Sequence, residues 1–215
     1  MTNTTYCSRS TFTTLLLISS LVFLTRSARA AEEEAPPAAA AETRAAPERH
    51  GSAFVDPLGF LMFGPRVGVE AGTPHITGGV YGRWFSPGLL GRSLFLNDGD
   101  SFAFSYGVGA RGRYYLGEGQ RGFHLGAGGE YLRTRVENAA ARVATVSGYV
   151  VPYAEVGYRL AFDRFYAGAS AVLGYAAKLS STVENLPGGN NAGSYEATNE
   201  SSVYGSAALE LGVYF

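Results

Sequence analysis

Apolar and polar positions alternate along most of the chain from residue 54 onward. In the last stretch, 201–215, Val203, Gly205, Ala207, Leu209, Leu211, Val213 and Phe215 share one parity, and Tyr204, Ser206, Ala208, Glu210, Gly212 and Tyr214 share the other. Successive side chains of a strand point to opposite faces, so this period of two predicts a strand with one apolar face and one small or polar face. The same pattern recurs over 58–71, 75–85, 101–116, 122–136, 148–162 and 165–178. On these stretches Val67, Val80, Val108, Leu125, Val156 and Leu173 fall on the apolar side, and Arg66, Tyr81, Arg111, His124, Glu155 and Ser170 on the polar one.

The connectors differ in length. Those near Gly72, Gly117 and Asp163 are short. Those at 86–100, 137–147 and 179–200 are long and rich in turn-forming or polar residues. Seven strands are clear, whereas a closed single-chain bacterial barrel takes an even number. Alternating short turns with long loops requires one more strand before Val67, and 52–63, turning near Gly64 and Pro65, is preferred for it over a strand inside 179–200. The fold class is therefore all-β: a transmembrane antiparallel up-and-down β-barrel of eight strands.

A soluble eight-stranded barrel also alternates, but its outer face is largely polar. Here the face rich in Val, Leu, Phe, Tyr and Trp excludes nearly every charge. The other face gathers Arg66, Glu70, Arg83, Arg111, Arg113, Glu130, Glu155, Arg159, Lys178 and Glu210. Turning those charges toward lipid costs roughly 2–4 kcal/mol per Arg at the midplane. The apolar face is therefore assigned to lipid and the charged face to the lumen. Trp84, Phe85, Phe102, Tyr131, Phe162, Phe165 and Phe215 lie near strand ends, where interfacial girdles are expected.

The N-terminus changes the picture by supplying an address. Arg9 precedes an apolar run over 11–24, and Ala28-Arg29-Ala30 is a small-x-small cleavage site, so 1–30 is expected to be a signal peptide. The run is shorter than the ~20 residues of a spanning helix. Residues 31–50, made mostly of Ala, Pro and Glu, are expected to be a disordered periplasmic tether. The barrel is expected over 51–215. Cleavage would remove Cys7, the only cysteine, and leave 14 of the 17 basic residues against 18 acidic ones, a net charge of −4. No basic patch points to nucleic acid, and no metal, phosphate-loop or nucleotide spacing implies a cofactor.

With these features together, the chain resembles the small bacterial outer-membrane β-barrel superfamily that includes OmpA, OmpX and OmpW relatives. The resemblance implies a bacterial outer-membrane location and contact with outer-membrane lipids and lipopolysaccharide. It also implies recognition by the barrel-assembly machinery through a closing strand with alternating apolar residues and a terminal Phe. Leu209, Leu211, Val213 and Phe215 match that signal, with Val213 where an aromatic is commoner. A monomer is expected.

The superfamily fixes a fold rather than a task. The lumen charges admit two readings: a structural core of mutually paired Arg and Glu, which the narrow interior of eight strands favours, or a narrow small-solute channel whose charges set ion preference. Glycines on the polar face (Gly68, Gly107, Gly109, Gly126, Gly128, Gly157 and Gly174) leave room for water or for large side chains. A lipid A-modifying enzyme is the third reading, using His75 or His124 with Ser105, Ser170 or Glu130, but no catalytic spacing joins them. The expectation is no enzyme. Arg133, Arg135 and Arg142 run past Tyr131 toward the outer rim and are candidates for lipopolysaccharide phosphate.

Overall fold

The computed structural model describes residues 51–86, 100–117, 119–190, 192–194 and 201–215. The expected signal peptide and tether, 1–50, and most of the connector at 86–100 lie outside the described residues. The strands are β1 (Gly51–Asp56), β2 (Arg66–Gly72), β3 (Ile76–Phe85), β4 (Asp100–Phe102), β5 (Ser105–Tyr115), β6 (Gly122–Asn138), β7 (Val143–Phe162), β8 (Phe165–Asn185) and β9 (Ser202–Tyr214). All but β4 form a closed antiparallel barrel of eight strands in the order β1-β2-β3-β5-β6-β7-β8-β9.

Closure is made by β1 against β9, with Ser52 opposite Tyr214 and Val55 opposite Leu211. Beyond that ladder Gly51 and Phe215 exchange two backbone hydrogen bonds, 3.2 and 3.0 Å. The strand required before Val67 is thus β1. It ends at Asp56, however, and the alternation over 58–65 is not a strand. Pro57 opens a short 3-10 turn, Pro57–Phe60, for which its fixed φ and missing N–H are suited. Gly64 then takes a left-handed φ of 93°, with its α-carbon packed against the Trp84 carbonyl where no side chain fits.

Two of the expected loops carry strand: most of 137–147, and 179–185 of the stretch 179–200. The polar stretch 137–147 continues β6 and β7, which pair as far as Asn138 opposite Val143 and leave a turn of only four residues, 139–142. β8 runs on to Asn185, paired with β7 as far as Val143. β9 leaves β8 at Ala176 opposite Ser202. The β6–β7–β8 side of the wall is therefore the taller one, and β4 extends it by pairing with Val136 to Asn138. The strand expected over 101–116 is interrupted at Ala103 and Phe104.

Parity decides burial throughout. Val67, Val69, Ile76, Val80, Val108, Leu125, Val156, Leu173, Leu209, Leu211 and Val213 are exposed on the outer surface, while Phe54, Tyr81, Tyr115, Tyr153, Tyr166 and Tyr214 are buried inside. The inward glycines seat large side chains. A Cβ on Gly68 would lie 2.7 Å from the Phe54 ring, one on Gly128 2.5 Å from the Tyr153 hydroxyl, and one on Gly157 2.6 Å from His124. Of the two uses foreseen for these glycines, space for side chains is the one realised.

Candidate functional site: the charged lumen

The inward face of the barrel carries five buried Arg (66, 83, 111, 113, 159) and five buried carboxylates (Asp56, Glu70, Glu130, Glu155, Glu210). Their formal charges cancel. That balance matters because each ion removed from water costs several kcal/mol unless it is paired and hydrogen-bonded. The pairs are stacked in layers between two ends, one bearing the turns 73–75 and 163–164 and the start of β6, the other the connectors 57–65 and 139–142 and the start of β9.

Nearest the connector end, Arg66 lies directly opposite Asp56 and donates Nε and Nη2 to Oδ2 at 2.9 and 2.8 Å. Asp56 also accepts the Leu209 N–H at 3.2 Å. Asp56 escaped the sequence reading because it precedes Pro57 and sits where the strand stops alternating. Beside this pair Arg83 Nε lies 2.9 Å from Glu130 Oε1. The Tyr81 hydroxyl donates to Glu130 Oε2 at 3.1 Å and lies 3.0 Å from the Tyr153 hydroxyl.

The middle layer is a single network. Glu70 accepts from Arg111 Nε (2.7 Å), Arg113 Nη1 (3.0 Å) and Arg159 Nη2 (2.8 Å). Glu210 accepts from Arg113 Nη1 and Nη2, both at 2.8 Å, and from Arg111. Glu155 is held by Arg113 in a two-point fork, Nε to Oε1 and Nη2 to Oε2. Such bidentate contacts are the strong form of the ion pair. The rings complete the packing: Arg111 lies over Phe54 at 4.1 Å and Arg159 over Tyr166 at 4.0 Å.

Toward the turn end the lumen is closed by rings and a turn residue. Tyr115 and His124 face each other with centroids 5.2 Å apart. Buried Gln120 donates its side-chain amide to the Thr73 carbonyl at 3.2 Å, and its own carbonyl accepts the Tyr214 hydroxyl at 3.2 Å. This closure depends on Gln120, whose φ of 57° carries it over the mouth to Thr73, Pro74 and Tyr214.

Nine of the ten charges expected in the lumen are there. Lys178 is the exception, with no ion pair among the described residues. It is only half-buried, near the level where β8 bulges at Leu179 and loses its β9 neighbour. Of the catalytic candidates, His124 and Ser170 are neighbours: the His124 ring lies over Gly157, which is paired directly with Ser170, and neither side chain has a hydrogen-bond partner among the described residues. The others are placed elsewhere. His75 is exposed at a turn, 3.4 Å from the Tyr115 carbonyl. Ser105 serves the β5–β6 ladder through the Arg135 N–H, and Glu130 is engaged by Arg83 and Tyr81. No group of His, Cys, Asp or Glu suited to a metal occurs among the described residues.

The rim arginines divide. Arg135 bridges Glu137 and Glu184, both at 2.9 Å. The Glu137 hydrogen bond, aided by Glu184, raises its pKa against a small desolvation cost. Arg142 donates to the Gly188 carbonyl at 3.1 Å. Arg133 is exposed and makes no ion pair among the described residues. In the closing strand Leu209, Leu211, Val213 and Phe215 all face outward. No family model, curated protein or solved structure matches the chain.

Proposed function

We propose that this chain is an integral outer-membrane β-barrel of the bacterial envelope, exported by the 1–30 segment, whose lumen is filled by side chains and whose role is structural or surface-interacting rather than catalytic. The carrying observation is the pairing of two faces: an apolar outer surface on all eight strands around a buried, charge-neutral Arg–carboxylate core. In water such an outer surface is a liability, since apolar patches beyond a few hundred Å² drive association. In a bilayer it is the expected outer wall.

Dimensions support the reading. From Val150 to Phe162, β7 covers about 40 Å along its axis, which at a tilt of about 45° is about 28 Å of height, close to the hydrocarbon thickness. Exposed aromatics bracket that band. Trp84, Phe104, Tyr106, Tyr131 and Tyr175 lie toward the connector end, and Tyr114, Phe123, Tyr158, Phe162, Phe165 and Phe215 toward the turn end. Short turns then face the periplasm and the taller β6–β7–β8 side faces outward. None of the described helices is long and apolar enough to cross a membrane.

Bilayer conductance of the refolded chain tests the closed lumen. A heat-modifiable barrel without stepwise conductance is the expected result. Steps whose ion preference changes on Arg111→Ala would establish a channel instead.

A further inference from the structure

We propose that the outward face at the connector end of β6, β7 and β8 carries a binding site for the phosphomonoester headgroup of a lipid in the surrounding leaflet, built from Arg133, the Tyr131 hydroxyl and Ser180, the two hydroxyls drawn together over buried Gly148. The inference rests on the membrane reading above.

The site begins with register. Tyr106, Arg133, Gly148 and Ser180 are paired in sequence across β5, β6, β7 and β8. Directly paired residues project to the same face with Cβ atoms ~5 Å apart, so these four form one row. It is an outward row, one step beyond Tyr131, and therefore at the level of headgroups rather than acyl chains. Gly148, itself buried, brings no side chain to the row, and its neighbours close over it. A Cβ at Gly148 would lie 2.9 Å from Ser180 Oγ and 3.2 Å from the Tyr131 hydroxyl. Two hydroxyl groups thus converge on the place where a side chain is missing, with the Arg133 side chain rooted directly alongside.

Ser180 reaches this face only because of a bulge. Through Tyr166, Gly168, Ser170 and Val172 the even positions of β8 are buried, and unbroken alternation would turn Ser180 inward as well. The register shift beside Gly148 and Tyr149 inserts Leu179 as an extra residue and re-aims Ser180 outward. Arg133 is also chemically available. Arg135 already holds Glu137 and Glu184, and Arg142 holds Gly188, whereas Arg133 has no carboxylate among the described residues. A guanidinium fork flanked by two hydroxyl donors matches phosphate oxygens, and the fork gives a geometry that an ammonium does not.

The test uses the full chain in phosphatidylcholine nanodiscs, with lipids retained on the ejected protein counted by native mass spectrometry. Diphosphoryl lipid A is the probe and its dephosphorylated form the comparison. The expected result is a retained diphosphoryl lipid A that is lost at least about tenfold on Arg133→Gln, as for a charge-assisted hydrogen bond. Gly148→Val, which pushes the two hydroxyls apart without changing charge, should also weaken it, and Arg121→Gln at the opposite rim should not. Equal retention by the Arg133 and Arg121 variants, or equal retention of the dephosphorylated lipid, would overturn the site. So would full competition by millimolar inorganic phosphate, which would make it a free-phosphate site. Failure of the wild-type chain to enter nanodiscs as a heat-modifiable barrel would instead overturn the membrane reading itself.

Discussion

Replacing Arg113 by methionine removes the one guanidinium that joins all three carboxylates of the middle layer, Glu70, Glu155 and Glu210. Glu70 and Glu210 keep Arg111 and Arg159. Glu155 keeps no ion-pair partner, and its side chain is fully buried. Breaking a buried pair by deleting one partner costs about 3–5 kcal/mol, chiefly from the charge left behind. Against a typical stability of about 5–15 kcal/mol, that is a large fraction. Replacing both members should be far milder, because four Arg and four carboxylates remain balanced and apolar pairs of similar volume often substitute well for buried ions. Urea unfolding of the refolded barrel, followed by the single tryptophan, Trp84, measures both variants. The expected order is wild type near the Arg113→Met/Glu155→Met double, with Arg113→Met well below either and a coupling of at least about 3 kcal/mol, the single-variant loss that the double recovers. Glu155→Gln alone should cost less than Arg113→Met, since Arg113 retains Glu70 and Glu210. A single Arg113→Met variant within about 1 kcal/mol of wild type would refute the claim that these charges are desolvated and mutually required.

Two further predictions use the same titration. Gly212→Val should cost about 1–3 kcal/mol despite the strand propensity of valine, because its Cβ would meet the Tyr166 ring and lie 2.6 Å from the Ala53 carbonyl. Gly78→Val, where nothing lies within 4 Å of a new Cβ, should be neutral or stabilising; equal losses at both positions would contradict the seating of rings on inward glycines. Arg135→Ala should shift stability by less than about 1 kcal/mol, an effect that fades with added salt, since its pairs with Glu137 and Glu184 are partly open to solvent.

The alternation of side chains is a local property, so the faces of β3, β5, β7, β8 and β9 could be read directly from residue order. Which Arg meets which Glu could not, because partners such as Glu70 and Arg159 are brought together by the register of the whole ring. Strand ends were hidden for a different reason. Beyond the apolar band, the stretch from Glu137 to Ser147 is polar and small and reads as a loop, yet backbone pairing holds it as a hairpin. In the opposite sense, 58–65 alternates like a strand but turns at Pro57 and Gly64. The bulge at Leu179 left no mark in composition, and it both re-aims Ser180 and lies at the level where Lys178 is left out of the network.

Whether the apolar outer wall faces lipid can be read from nitroxide accessibility along β3. In a Cys7→Ser background, spin labels are placed one at a time at the outward positions Ile76, Gly78, Val80, Gly82 and Trp84 of the chain reconstituted in vesicles. Collision with molecular oxygen is expected to peak at Val80 and fall toward Ile76 and Trp84, with collision by a water-soluble nickel chelate following the opposite trend. Free access of the nickel chelate to Val80, equal to that at Ile76 and Trp84, would show a wall in water and rule out the lipid-facing assignment.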